Sequence, residues 1–258
     1  MFSRWIVAYV SVISTEFCCG QLGILELGFG LSEFPRANIV CNGSESLEPI
    51  WVPNANAHIR LSLAEWKCFG IGIESTIQTV PLAYSFSHSG LISNSGQTIL
   101  NPGSGSVPSS KLGLVLLGVD LNRSFGKANT PRCGWSGGFG YVMIARDRYG
   151  VSSGEFDDSG AYLSLIDISA EYVSDGVPLY CKASFNFVIH AWSKWELGSS
   201  VSLTYIPNVR MEASAIVNPD GLNRYVCRIH RDLSYYGISI FSRMRLCKTS
   251  KSMDVVKP

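Results

Sequence analysis

The chain has 258 residues, of which 46% are hydrophobic and 16% charged, with 25 glycines and a net charge of +1. That composition excludes a disordered or collagen-like chain and leaves room for one or two folded domains. A near-neutral total by itself predicts no polyanion partner. The charge is uneven, however: from Gly221 onward eight Lys or Arg face two Asp, a net of +6, while the first 220 residues carry 13 basic and 18 acidic groups, a net of −5. A mildly acidic body with a basic end suits a polyanion or an anionic membrane surface, and equally a solvated strand face with a frayed tail.

Taken in chain order, residues 1–20 place Arg4 ahead of an apolar segment from Trp5 to Ile13, with Cys18 and Gly20 behind it. This is the outline of a secretory signal peptide, too short to span a bilayer as a helix. Glu16 beside the cleavage region counts against it, and an edge strand or a membrane-surface anchor fits the same residues. We divide the chain into a hydrophobic, irregular segment over 1–38, a single β domain over 39–247 and a basic tail over 248–258.

Within the β domain, Ile59, Leu61 and Leu63 alternate with Arg60, Ser62 and Ala64, the pattern of a half-buried strand with one wet face. Phe69–Ile77 and Leu82–Phe86 continue in strand-like residues, and Ser87–Gly96 is rich in turn formers. Pro102, Gly103, Gly105 and Pro108 exclude a helix between Asn101 and Ser110. The apolar run Leu112–Val119 reads as a central strand buried on both faces. Leu121–Gly140 reads as a long irregular segment in which GWSGGFG (Gly134–Gly140) is a flexible loop, and Tyr141–Ala145 as a strand. Val151–Gly160 reads as an acidic loop. Tyr162–Ile168 and Val177–Tyr180 look like strands. Ala183, Phe185, Phe187, Ile189 and Ala191 alternate with polar residues, except that Val188 breaks the polar side. Val201, Leu203 and Tyr205 alternate with Ser202 and Thr204. Recurrent strands between turn signals predict an all-β, jelly-roll-like sandwich.

No catalytic or metal motif emerges. The four histidines, His58, His88, His190 and His230, are not paired at helical spacing, and H-E-x-x-H, G-x-S-x-G and P-loop patterns are absent. Glu155, Asp157 and Asp158 lack the spacing of a calcium loop. We therefore expect no enzyme, no metal and no cofactor. Eight cysteines at irregular spacing, most in or beside apolar runs, predict free thiols in a cytosolic protein at Cys68, Cys133, Cys181, Cys227 and Cys247. The sequons at Asn42 and Asn122 and the signal-like start keep a secreted, disulfide-linked glycoprotein as an alternative.

At SGQTILNPGSG, then SKLGLVLLGVDLN, then PRCGWSGGFGYVMIARDRYG, the chain resembles plant-virus cell-to-cell movement proteins, in particular the dianthovirus and umbravirus branch. The matching pieces are Ser95–Thr98, Pro102–Gly105, Leu112–Val119, Arg132–Cys133, Gly138–Phe139 and Arg148–Tyr149, within roughly Ala57–Gly150. The aspartate that such proteins keep after an apolar strand corresponds to Asp120 or Asp147, the latter next to Arg148. The resemblance implies a jelly-roll-like domain that binds single-stranded RNA without sequence preference and catalyses no reaction. It also implies association with host membranes or plasmodesmal proteins, self-association, and a place in the cytoplasm and at plasmodesmata. A jelly-roll capsid subunit is the alternative from the viral class. On this reading Arg224, Arg228, Arg231, Arg243, Arg245, Lys248 and Lys251 contact phosphates. Ile238, Ile240, Met244 and Leu246 would anchor the last strand in the core, leaving Arg243 and Arg245 displayed outside.

Overall fold

The computed structural model describes residues 23–246, apart from 44–46, 67–68, 93–97, 127–129, 145–147, 157–159, 193 and 219–223. The signal-like stretch over 1–20 therefore lies outside the described residues, as do Cys68, Asp147, Cys247 and the basic tail with Lys248 and Lys251.

Strand β1 (Ile24–Glu33) leads through the short β2 (Asn38–Cys41) and β3 (Leu47–Pro49) to β4 (Asn54–Trp66), and β5 (Phe69–Pro81) follows two residues later. Four short strands follow: β6 (Tyr84–His88), β7 (Leu91–Ile92), β8 (Thr98–Leu100) and β9 (Gly103–Val107). The hairpin β10 (Ser110–Phe125) and β11 (Arg132–Ile144) is succeeded by β12 (Arg148–Phe156) and β13 (Tyr162–Ser174). A further hairpin, β14 (Leu179–Ala191) and β15 (Trp195–Tyr205), precedes β16 (Val209–Val217), β17 (Tyr225–Asp232) and the last strand, β18 (Tyr235–Arg245).

Eight of these strands close into a barrel in the order β1-β18-β15-β14-β11-β10-β5-β4. Every pairing in it is antiparallel. The turns β4–β5, β10–β11 and β14–β15 are short and lie at one end, where β1 also begins and β18 ends. The longer connections all leave the other end. They fold into a cap, made of the five-stranded sheet β12-β13-β16-β17-β2, the three-stranded sheet β3-β6-β9 and the pair β7-β8.

The all-β expectation therefore holds, and the jelly-roll sandwich is corrected to a closed barrel with a cap. Ile24–Glu33, inside the stretch expected to be irregular, pairs along its length with β18 and is a barrel stave. Within Leu121–Gly140, expected to be irregular, Leu121–Phe125 completes β10 and Arg132–Gly140 opens β11. The GWSGGFG run is a strand whose glycines lie where two strands come close, since a Cβ on Gly140 would overlap the Leu117 carbonyl. Val151–Gly160 is largely β12 rather than a loop, and Gly103–Val107 forms a strand within the expected turn region. Val188, the residue that interrupts the polar side of β14, keeps an inward, buried place, and a β-bulge follows it, where the register against β15 shifts between Val188 and His190.

The apolar core lies at the cap end. The inner face of the cap sheet (Ile166, Ile168, Met211, Ala215, Ile229) packs with Leu82, Tyr84 and Phe86, and with Leu114, Leu116, Val142 and Tyr180 from the adjoining part of the barrel. The Leu112–Val119 run is central as expected, but only one of its faces is fully buried. Leu114 and Leu116 point in, whereas Val119 points out.

Candidate functional site

Along each barrel strand alternate side chains point into the lumen or away from it, as the two-residue period of a strand requires. The outward set is mainly apolar. It includes Leu27, Phe29 and Leu31 on β1, Ile71, Ile73 and Ile77 on β5, Phe185, Phe187 and Ile189 on β14, and Ile238 and Ile240 on β18, the last two more than 60% exposed. Aromatic residues edge this belt. Phe69, Phe125, Trp135, Trp192 and Trp195 lie towards the short-turn end, and Tyr141, Tyr205 and Tyr236 towards the cap. Apolar outside and polar inside is the reverse of a water-soluble domain. No helix among the described residues is long and apolar enough to cross a membrane.

The lumen carries the charges. Glu196, Arg243, Glu26, Arg60 and Glu74 lie in direct register on five adjacent strands, β15, β18, β1, β4 and β5, and alternate in sign. Glu26 is held by Arg243 and by His58, whose Nε2 is 3.0 Å from its carboxylate. From across the lumen Asp120 pairs with Arg60, and Lys182 donates to Glu74, which also accepts from the Thr76 hydroxyl at 2.9 Å. Nearer the short turns Arg132 Nη2 donates to both carboxylate oxygens of Glu196, at 2.7 and 2.8 Å, and Arg245 reaches the same carboxylate at 3.3 Å. Ser32, Asn56 and Gln78 form a neutral network above the charges.

Each lumen carboxylate among the described side chains thus meets a cation from another strand, which offsets the cost of removing it from water. Gly28 leaves room for the imidazole, because a Cβ there would overlap the His58 ring. Eight strands enclose a space that side chains can fill, and here they do. Glu26, Arg60, Glu74, Gln78, Asp120 and Thr204 are all buried, and above them the lumen is stopped by Leu114, Leu116, Val142 and Tyr180.

The expected nucleic-acid face is not formed. Arg243 and Arg245 point into the barrel rather than out of it. Ile238 and Ile240, taken as core anchors, are on the outer surface instead. The alternation of the last strand is right and its sidedness is inverted. Arg231 is buried in the cap, donating to the Pro35 carbonyl. It also lies beside Tyr84, whose hydroxyl is pushed up by burial while the guanidinium pulls the other way. Arg224 and Arg228 are exposed on the cap, apart from the other two. Of the residues carried by the family resemblance, Asp120 is a lumen ion-pair partner and Arg148 an exposed one, 3.2 Å from Glu171 on the cap. Ile59, Leu61 and Leu63 are inverted in the same way as β18, for Arg60 and Ser62 are the buried side of β4.

The cysteine expectation is corrected at one position. Cys227 is not free: it forms a disulfide with Cys41, joining β17 to β2. Cys133 and Cys181 are free thiols as expected. The sequon at Asn122 falls within β10, on an inward position of the barrel.

No protein-family model matches the chain, and no curated protein does. Among solved structures the chain is similar to the outer membrane protein OprG from Pseudomonas aeruginosa, with 10% identity, 89% of this chain and 99% of that one covered, and a TM-score of 0.43. It is also similar to the outer membrane protease OmpT from Escherichia coli (9% identity, 87% and 94% covered, TM-score 0.36) and to the outer membrane protein AlkL (9%, 90% and 94%, 0.34). The movement-protein resemblance is overturned, and the capsid alternative with it. Among the described residues the motifs that suggested it lie on or beside barrel staves and cap strands, residues 95–97 falling outside them, and the arginines it assigned to RNA are divided between lumen, cap core and cap surface. RNA partners and a plasmodesmal location fall for the same reason. The chain's own outer surface carries an apolar belt that runs round all eight staves.

Proposed function

We propose that this protein is a membrane-spanning β-barrel of the outer-membrane kind, anchoring a folded β-cap at the bilayer surface. The observation that carries the reading is the apolar, aromatic-edged outer belt around a charged lumen. A bilayer has no water to satisfy an open sheet edge, and a closed barrel has no edge. The staves run 10–16 residues, enough for a tilted strand to cross. Outer-membrane barrels have an even number of strands, with short turns on the periplasmic side and long connections outside. On that pattern the cap faces the exterior, where a disulfide such as Cys41–Cys227 persists.

The filled lumen supports a barrel that is closed at rest rather than an open pore. We assign no reaction to it. The decisive experiment is refolding of the full chain into vesicles whose acyl chains are brominated at graded depths. Tryptophan emission from Trp135 and Trp195 should be quenched, and the folded band should shift on gels when heated. Unquenched emission with the protein left in the aqueous phase would sink the membrane assignment. Planar-bilayer recording tests the second part, since a resting barrel of this kind should show no steady conductance.

A further inference from the structure

Among the described residues of the eight staves, Arg123 is the only lysine or arginine on the outward face. It stands two residues before the end of β10, towards the short turns. Its guanidinium carbon lies 4.8 Å from the centroid of the Phe69 ring and 5.1 Å from that of Phe125. Across the ladders it is in register with Phe69 on β5 and with Trp135 on β11. Among the described residues its Nε has no hydrogen-bond partner and no ion pair includes it.

This contrasts with the lumen, where each carboxylate has its cation. A charge on a lipid-facing wall is expensive at mid-bilayer and cheap near the interface, where aromatic belts also sit. Water alone could solvate such a charge, but it would leave the flanking rings without a part. Cation–π contacts hold the guanidinium flat against the wall, while its planar N–H fork still fits two oxygens of one phosphate. We propose that Arg123, framed by Phe69, Phe125 and Trp135, binds the phosphate of a phospholipid headgroup in the leaflet at the short-turn end. This rests on the membrane-spanning reading above.

The test uses the full chain in nanodiscs of phosphatidylglycerol and phosphatidylcholine, with retained lipid counted by native mass spectrometry. Arg123→Gln should lower phosphatidylglycerol occupancy about five- to tenfold, the scale of one charge-assisted contact at a membrane surface. Arg148→Gln, a change to an exposed cap arginine, should leave it unaltered. Equal retention by Arg123→Gln, or an equal loss with Arg148→Gln, overturns the site. Displacement of the lipid by millimolar inorganic phosphate would also overturn it, since the site would then take free anions. Tryptophan quenching in the same samples separates the two claims. If quenching is absent, the barrel reading itself fails; if quenching persists while Arg123→Gln holds lipid like the wild type, only this site fails.

Discussion

The barrel wall and the cap sheet use the same alternation in opposite senses. On β16 the apolar positions Met211, Ala213, Ala215 and Val217 are buried and Ser214 is exposed, as in any half-buried strand in water. On β18 the apolar Ile238 and Ile240 are exposed, while Ser239 and Phe241 are turned inward with Arg243. Alternation tells a strand that it has two faces. The solvent decides which face is turned in, and on the proposed membrane-spanning reading this chain meets two solvents.

The largest expected effect comes from breaking a lumen pair. Lys182→Met would leave Glu74 buried without its cation, and losing one partner of a buried pair costs about 3–5 kcal/mol. The double change Lys182→Met with Glu74→Met should recover most of that loss in urea unfolding from detergent. If the single change is silent, the lumen is wet and the closed-barrel reading is wrong.

Next comes a direct comparison of the two surfaces. Ile240→Arg puts a charge at the middle of β18 on the outer belt, where it should cost about 2–4 kcal/mol in lipid. Ser214→Arg makes a similar change on the open face of the cap, where surface substitutions stay within about 0.5 kcal/mol. Equal costs at the two sites, measured in the same vesicles, would erase the distinction between lipid-facing wall and water-facing cap.

Much of the strand content was legible, and the sidedness was not. The alternations at Ile59–Leu63, Ala183–Ala191 and Val201–Tyr205 correctly marked strands, because a period of two does not depend on which face is wet. The same independence hid the inversion: Arg60 and Arg243 look like solvent-facing residues until a closed barrel turns the polar side of each strand into a filled lumen. The usable signal was distributed over the chain. Each stave is a segment of about ten residues with apolar alternation, aromatic residues near its ends, and glycine, serine or a charge on the other side. Gly28, Gly30, Gly70, Gly72, Gly138 and Gly140 fall on inward positions, and of these Gly138 and Gly140 belong to the run that read as a flexible loop. The alternating row from Glu196 to Glu74 exists only once five strands are in register, so no local window contains it. Cys41 and Cys227 are 186 residues apart and meet only through the β2–β17 ladder.

That disulfide supplies a smaller effect confined to one region. β2 is four residues long and joins the cap sheet only through β17. Cys227→Ala should destabilise the cap by about 2 kcal/mol, the low end for a native cross-link because the short ladder remains. Hydrogen exchange should quicken in β2 and β17 and stay unchanged in β14 and β15. Acceleration spread evenly over the staves would mean that cap and barrel unfold as one unit.

The smallest expected effect completes the comparison with the lumen. Arg148 and Glu171 form an ion pair on the cap of the same chemical kind as Arg60 and Asp120 in the barrel, with side chains 81% and 48% exposed against 5% and 2%. An exposed pair gains little in high dielectric, is screened by salt, and loses side-chain entropy by being held together. Removing Arg148 also leaves Glu171 free to be solvated, so nothing buried is orphaned. Arg148→Ala should therefore cost about 0–0.5 kcal/mol in low salt and nothing measurable at 1 M, where the screening length is about 3 Å. The Lys182→Met penalty should hardly change between the same two salt concentrations, because water and ions do not reach Glu74. A salt-sensitive Lys182 would put mobile ions inside the barrel, and a salt-insensitive, costly Arg148 would place that face of the cap out of water.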